Sequence, residues 1–269
     1  MGVLEVERGA HGVWTLWLNR PQQRNAMSLA MVDALLAALR EAEAATGSEA
    51  ARVLVLRGRG GHFCAGADLA DMAAARGRLA DNPRAIAEVN ARFGELCAAF
   101  HGTGLATVAV LEGAVMGGGL GLACAVDVVL AGRSARCRLP ETSLGLVPAQ
   151  IAPLLLERLG SSQARRLVVS GASIEADEAL ALGLVHAVHD DGAALDAALA
   201  ATLAQILRCA PGAIAASKAL LRRARFEPAD RLVADAAELF SAAALGAEGA
   251  EGTLAFLQKR APRWAPVQP

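Results

Sequence analysis

The 269-residue sequence has no tyrosine, and aromatic residues make up only 3% of it. A core made from this chain must therefore rely on aliphatic packing, which its 54% hydrophobic content can supply. Lysine is nearly absent as well. Only Lys218 and Lys259 stand among 26 basic residues, so contacts to phosphate would fall mostly to arginine. Neither sign of charge dominates, with a net charge of −1 and a pI near 6.5. Without a basic stripe, nucleic-acid binding has little electrostatic support. Long apolar runs are missing too. The longest, Gly113 to Cys124, is about twelve residues where a spanning helix requires roughly 20, and Glu112 and Asp127 flank it. The five cysteines show neither a CxxC pair nor a zinc spacing. Their odd number, and a start that carries Glu5 and Glu7 in place of an apolar leader, lead to the expectation of reduced thiols in the cytoplasm. No metal, membrane or nucleic-acid partner is expected.

What is present is a mixture of strand and helix patterns over one large α/β domain. Residues 3–8 and 13–18 read as a hairpin turned by Gly9-Ala10-His11-Gly12. Ser28 reads as the N-cap of a helix reaching about residue 45, with Leu29, Val32, Leu35, Leu36 and Leu39 on one face. Buried strands are expected at 53–57, 107–112 and 127–130, a Gly-rich connection at 58–72, and an interrupted helix at 73–100. A loop follows at 132–150, then helices at 151–159, 161–169 and 175–182. After Val188 the pattern is almost purely helical: 193–208, 211–225, 229–244 and 247–258. The expected division is a strand-and-helix body over 1–190 and a helical region over 191–269.

Three stretches carry the chemistry. In Phe63-Cys64-Ala65-Gly66-Ala67-Asp68-Leu69, small residues bracket a sharp turn after a strand. Such a backbone can approach a ligand closely and aim an N–H at it; an ordinary turn with Asp68 as a helix cap fits the same residues. Cys64 has no evident base and reads as a small buried thiol. In Glu112 to Leu122, the cluster Gly117-Gly118-Gly119 follows a strand and opens an apolar helix. A helix start offers free N–H groups to a developing oxyanion; a tight turn with close packing is the competing reading. Leu122 stands where G-x-G-x-x-G requires its third glycine, and no G-K-[ST] follows, so neither phosphate loop fits. In Leu139 to Pro148, Glu141 is a lone carboxylate in an apolar loop, either functional or simply exposed.

In this order and spacing the three stretches resemble the crotonase family, the enoyl-CoA hydratases and isomerases. The likeness extends over nearly the whole chain through Asn19-Arg20-Pro21 with Asn25-Ala26, the 63–69 stretch, the glycine cluster with Cys124-x-x-Asp127, Pro140-Glu141 with Leu144-Gly145, and Ala179-x-x-x-Gly183-Leu184-Val185. The resemblance implies a spiral of ββα turns with a helical C-terminal trimerisation region, assembled as a homotrimer or homohexamer. It implies an acyl-CoA thioester as substrate and no cofactor beyond the coenzyme A that the substrate carries. Carried over by position, the N–H groups of Ala67 and Gly118 form an oxyanion hole and Glu141 is the acid–base group. Arg24, Ala26, Ala65, Asp68, Leu69 and Lys259 fall at substrate or CoA contacts, with Lys259 possible from a neighbouring subunit.

The chain departs from the family in two places. Hydratases that use two carboxylates carry a glutamate where this chain has Gly121. Ala149-Gln150-Ile151-Ala152-Pro153 replaces a Gly-rich run, and Leu144 to Pro153 is similar to hydratases of branched glutaconyl-CoA thioesters. Hydration through Glu141 alone is the reading this favours. Double-bond migration by the same single base, and an acyl-CoA-binding protein without catalysis, remain the alternatives. Met72, the 73–90 segment and Phe93 are expected to shape the acyl pocket.

Overall fold

The computed structural model describes residues 2–266. Its centre is a six-stranded sheet in the order β1-β2-β3-β4-β6-β9, with β1 (Leu4–Arg8) antiparallel to β2 (Val13–Leu18). From β2 onward, β3 (Val53–Gly58), β4 (Ala106–Leu111), β6 (Val128–Gly132) and β9 (Ala187–His189) pair in parallel. Parallel strands buried on both faces read as continuous apolar runs, and β3 and β4 do so. On β3, Leu54 and Leu56 face the main core while Val53 and Val55 face a second one. The main core lies under α1 (Leu29–Ala44), which Ser28 caps by accepting the Met31 N–H at 3.3 Å. Leu35 and Leu39 of this helix are fully enclosed, and truncation of either to alanine costs about 2–5 kcal/mol by analogy with other cores.

A second, smaller sheet gives the spiral its rungs. β5 (Ala114–Met116) pairs with β7 (Arg136–Arg138) in parallel, and β7 with β8 (Ser173–Glu175) antiparallel. Single bridges extend the row, Cys64 to Val115 and Met27 to Ala67. Each turn of chain thus contributes a long strand, a short rung and a helix. The helices between are α2 (Leu69–Gly77), α3 (Ala85–Gly102), α4 (Gly118–Cys124), α5 (Ala152–Ser170) and α6 (Ala176–Ala181).

Three expectations are corrected. The connection after β3 ends at residue 68 rather than 72, because Asp68 Oδ1 accepts the Ala70 N–H at 2.8 Å and starts α2 at Leu69. The stretch 132–150 is not all loop, since it holds β7 and a short 3₁₀ turn, Glu141–Leu144. The two helices expected at 151–159 and 161–169 form one element, α5, broken only at Gly160 (φ 68°, ψ 167°). The rungs β5, β7 and β8, three residues each, are too short to show period-two alternation.

The final helices are α7 (Gly192–Leu207), α8 (Pro211–Ala224), α9 (Ala229–Leu245) and α10 (Ala247–Leu257). α7 packs Leu195 and Leu207 onto the second core, over Val53, Val55, Val108 and Val110. α8 is tied to the body by Lys218, whose Nζ lies 2.7 Å from Asp127 Oδ2 and 2.6 Å from the Leu105 carbonyl. Asp127 is itself fixed by the N–H and hydroxyl of Thr107, each at 2.8 Å. Among the described residues, α8 buries no residue, and α9 and α10 bury one each, Leu232 and Ala255. Phe226, Leu245 and Phe256 are each about 80% exposed. No single described helix is long and apolar enough to cross a membrane.

Candidate active site

Three successive turns of the spiral deliver three segments to one place. Cys64 donates its N–H to the Ala114 carbonyl and accepts one from Met116, both at 2.9 Å. One rung further, Gly117 donates to the Arg138 carbonyl at 2.9 Å. Arg138 lies just before Leu139-Pro140-Glu141, so this bond sets Glu141 beside the glycine cluster. Contact is close: a Cβ on Gly117 would stand 2.8 Å from Glu141 Oε1 and 3.9 Å from Gly66 Cα. Gly66 (φ 98°) and Gly117 (φ 49°) also hold backbone conformations that other residues rarely adopt. At Gly66 a Cβ would press to 3.2 Å on the Met116 carbonyl. The two glycines let the chains meet, and the residues following them, Ala67 and Gly118, carry the exposed amides. Gly118 opens α4, where backbone N–H groups lack intrahelical acceptors. Among the described residues, neither the Ala67 nor the Gly118 N–H reaches a protein acceptor.

Glu141 faces these amides across a cavity of about 300 Å³, whose wall includes Ala65, Ala67, Gly118, Met72 and Phe93. The carboxyl is half-buried, and among the described residues its Oε2 is enclosed with no hydrogen-bond partner. Burial pushes Glu141 above its ordinary range, against a smaller opposing pull from its own backbone N–H. A carboxyl destabilised as an anion, with no cation paired to it among the described residues, suits a group that takes up and returns a proton. The loop that holds it is pinned by the Thr142 hydroxyl, which donates to the Val168 carbonyl at 2.7 Å, and by the Ser143 hydroxyl, which donates to the Pro140 carbonyl at 2.6 Å.

Of the other expected residues, Ala65, Asp68 and Leu69 line the cavity. Asp68 is already engaged by Arg20 at 2.7 Å and by its capping bond. Burial alone would raise it, but the Ala70 N–H and Arg20 outweigh that and hold it below the usual carboxylate range. Arg24 and Ala26 lie beside the wall rather than in it. The Arg24 carbonyl accepts the Ala65 N–H at 3.0 Å while its side chain is exposed. Lys259 follows α10 and does not line the cavity of its own chain. Cys64 is fully buried, its thiol pushed up to about 11 by burial, and it contacts the Gly66 carbonyl at 3.7 Å; it is a packing residue.

The most informative position is Gly121. A Cβ there would overlap the Ile151 methyl Cγ2, and Ile151 is buried. The position at which the family resemblance expects a second carboxylate is therefore filled by hydrocarbon from the 149–153 loop. The sequence shows that departure at 149–153 but not which way Ile151 points. It also gives no sign that Gln150 Nε2 donates to Asn90 Oδ1 at 2.7 Å inside the cavity.

The family profile described as Enoyl-CoA hydratase/isomerase matches residues 8–266. The chain belongs to this family. It is 35% identical to the 2,3-dehydroadipyl-CoA hydratase of Escherichia coli over 251 residues, 93% of this chain and 94% of that protein. Among solved structures, Pseudomonas aeruginosa AtuE superposes with a TM-score of 0.93 at 50% identity, covering 98% of this chain and 100% of AtuE. An enoyl-CoA hydratase/isomerase from Marinobacter aquaeolei superposes with a TM-score of 0.91 at 46% identity, covering 98% and 99%. The crotonase fold and acyl-CoA chemistry follow from this membership.

Proposed function

We infer that the protein hydrates the α,β double bond of an enoyl-CoA thioester with Glu141 as its single acid–base carboxylate. The observation that carries this is the unpartnered Glu141 oxygen beside two free backbone amides in one cavity. The Ala67 and Gly118 N–H groups bind the thioester oxygen. Glu141 takes a proton from water as the water oxygen bonds to the β-carbon, and the alkene electrons move onto the thioester oxygen. The enolate is held by the two amides, each such donor being worth about 10²–10³-fold in rate. Glu141 then returns the proton to the α-carbon, so one water has been added and the enzyme is restored. Coenzyme A runs out past Arg24, with Lys259 supplied by a neighbouring subunit. For the acyl group, the likeness of the 144–153 loop supports a branched glutaconyl thioester of the methylglutaconyl or isohexenylglutaconyl kind.

The apolar filling at Gly121 favours a second reading as well, since moving a double bond needs only one shuttling base. Mass spectrometry of products from 2-enoyl- and 3-enoyl-CoA separates the two. A product heavier by one water supports hydration, whereas an isomer of unchanged mass as sole product overturns it.

Assembly through the last helices is part of the same proposal. Apolar faces such as those of Phe226, Leu245 and Phe256 call for a partner, and cyclic symmetry buries one such patch in every subunit. Sedimentation equilibrium should give a trimer or hexamer. A single species at 27.5 kDa would sink the idea.

A further inference from the structure

The acyl cavity is apolar along most of its wall, and its ionisable lining residues are Asp68, Asp71 and Glu141. Asp68 is paired with Arg20, and Asp71 Oδ2 accepts the Leu29 N–H at 2.6 Å. Against this background stand two uncharged amides, Asn90 on α3 and Gln150 at the end of the catalytic loop, joined by their 2.7 Å bond. The seat for this pair is built into the helix. At Gly94 a Cβ would collide with Gln150 Oε1, so the helix leaves room for the glutamine at that point. Gln150 occupies the Asn90 carbonyl, which leaves the two Nδ2 hydrogens of Asn90 as donors in the cavity. Among the described residues no protein acceptor meets them. Half-buried amide donors without acceptors in an apolar wall are costly unless a ligand or water completes them.

Position follows from the helix. Asn90 precedes Phe93 by three residues, so both side chains share one face of α3. The Phe93 ring lies against the Gly118 end of the site, 3.0 Å from where a Cβ on Gly118 would be. Asn90 is therefore about 4.5 Å along the helix axis from Phe93. We propose that Asn90, held by Gln150, is a specificity-determining donor that selects acyl groups bearing an oxygen acceptor a few atoms from the thioester. The shared chemistry is an acceptor oxygen, which a carboxylate or an uncharged carbonyl can provide. This rests on the enoyl-CoA reading for the placement of the thioester but not on turnover.

The test uses saturated thioesters, which bind without reacting: a monocarboxylic acyl-CoA, the matched dicarboxylic mono-CoA thioester and the methyl ester of the latter. Calorimetry on the wild-type protein should show the acid, alone or together with its ester, binding about three- to tenfold tighter than the hydrocarbon ligand, the worth of one hydrogen bond. Asn90→Leu should erase the preference. Asn90→Asp keeps an acceptor for Gln150 but removes the donors, so it should erase the preference without disturbing packing. Gln150→Met should weaken it. Comparable binding of acid and ester identifies the acceptor as any carbonyl, and binding of the acid alone identifies it as a carboxylate. Equal affinity for all three ligands in the wild type, or a preference that survives both Asn90 variants, overturns the proposal. Failure of the hydratase reading would show instead as absent turnover with these affinities intact.

Discussion

The two walls of the cavity are made of different material. One is backbone: Gly66-Ala67 and Gly117-Gly118, where chains approach so closely that a Cβ on Gly117 would press on Glu141. The other is side chain: Met72, Asn90 and Phe93 from the helices, and the 144–151 loop, where Leu144 and Val147 are largely exposed. A wall of peptide amides is fixed by the stacking of spiral turns and has little freedom to vary. A wall of side chains can change size and polarity while the sheet stays as it is. On the function proposed above, the first wall serves chemistry common to every thioester, and the second decides which thioester enters.

This contrast can be broken in four places. Gly118→Pro should have the largest effect, because it removes one amide donor and drives a ring toward Phe93. Turnover should vanish while circular dichroism stays native; a folded, active variant would end the assignment of a chemical wall. Glu141→Gln comes next, with a loss of about 10²–10⁴-fold in kcat and little change in thioester affinity. The sign of its stability effect is opposite to its effect on rate. The Glu141 pKa is raised in the folded state, so ionisation costs stability as pH rises through the unfolded value toward the folded one. The glutamine variant should therefore melt at a higher temperature than the wild type at neutral pH. By the same shift, the acid limb of the wild-type kcat/KM profile should lie above the ordinary glutamate range. An acid limb at or below that range would remove the burial argument.

Gly121→Glu tests the boundary between the walls. With Ile151 in place, the added carboxylate should overpack the site at about 1–3 kcal/mol and gain no rate. Paired with Ile151→Gly, it should recover stability. A single variant that hydrates faster than the wild type would show that Ile151 does not block the position. Val147→Ser, on the exposed rim, should have the smallest effect, with kcat within about twofold, as for most surface changes.

The sequence carried the first wall better than the second. Ser28, the glycine cluster, Pro211 and Gly246 mark element ends by local rules, and most helices fall within a residue or two of where periodicity places them. That Glu141, Ala67 and Gly118 meet at one cavity follows from the motif order, which the sequence carries. The placing of Ile151 and the Asn90–Gln150 pair was not legible. They depend on how one loop lies against two helices distant in sequence, Ile151 on Gly121 and Gln150 on Asn90, which neither periodicity nor propensity encodes. The short rungs escaped for a similar reason: the strand state of Cys64 or Val115 comes from the neighbouring turn. The start of α2 was missed because Asp68 reads equally well as a site residue and as the cap that it is.

The rungs that gather Ala67, Gly118 and Glu141 also tie activity to the order of folding. No two of these residues lie on one hairpin or one helix, and each pairing that unites them joins parallel, sequence-distant segments. Such contacts form late, after the loops between them have closed, and they slow folding relative to local structure. During refolding, helix content should return before catalysis does, because a partly wound spiral holds all three residues without yet having a site.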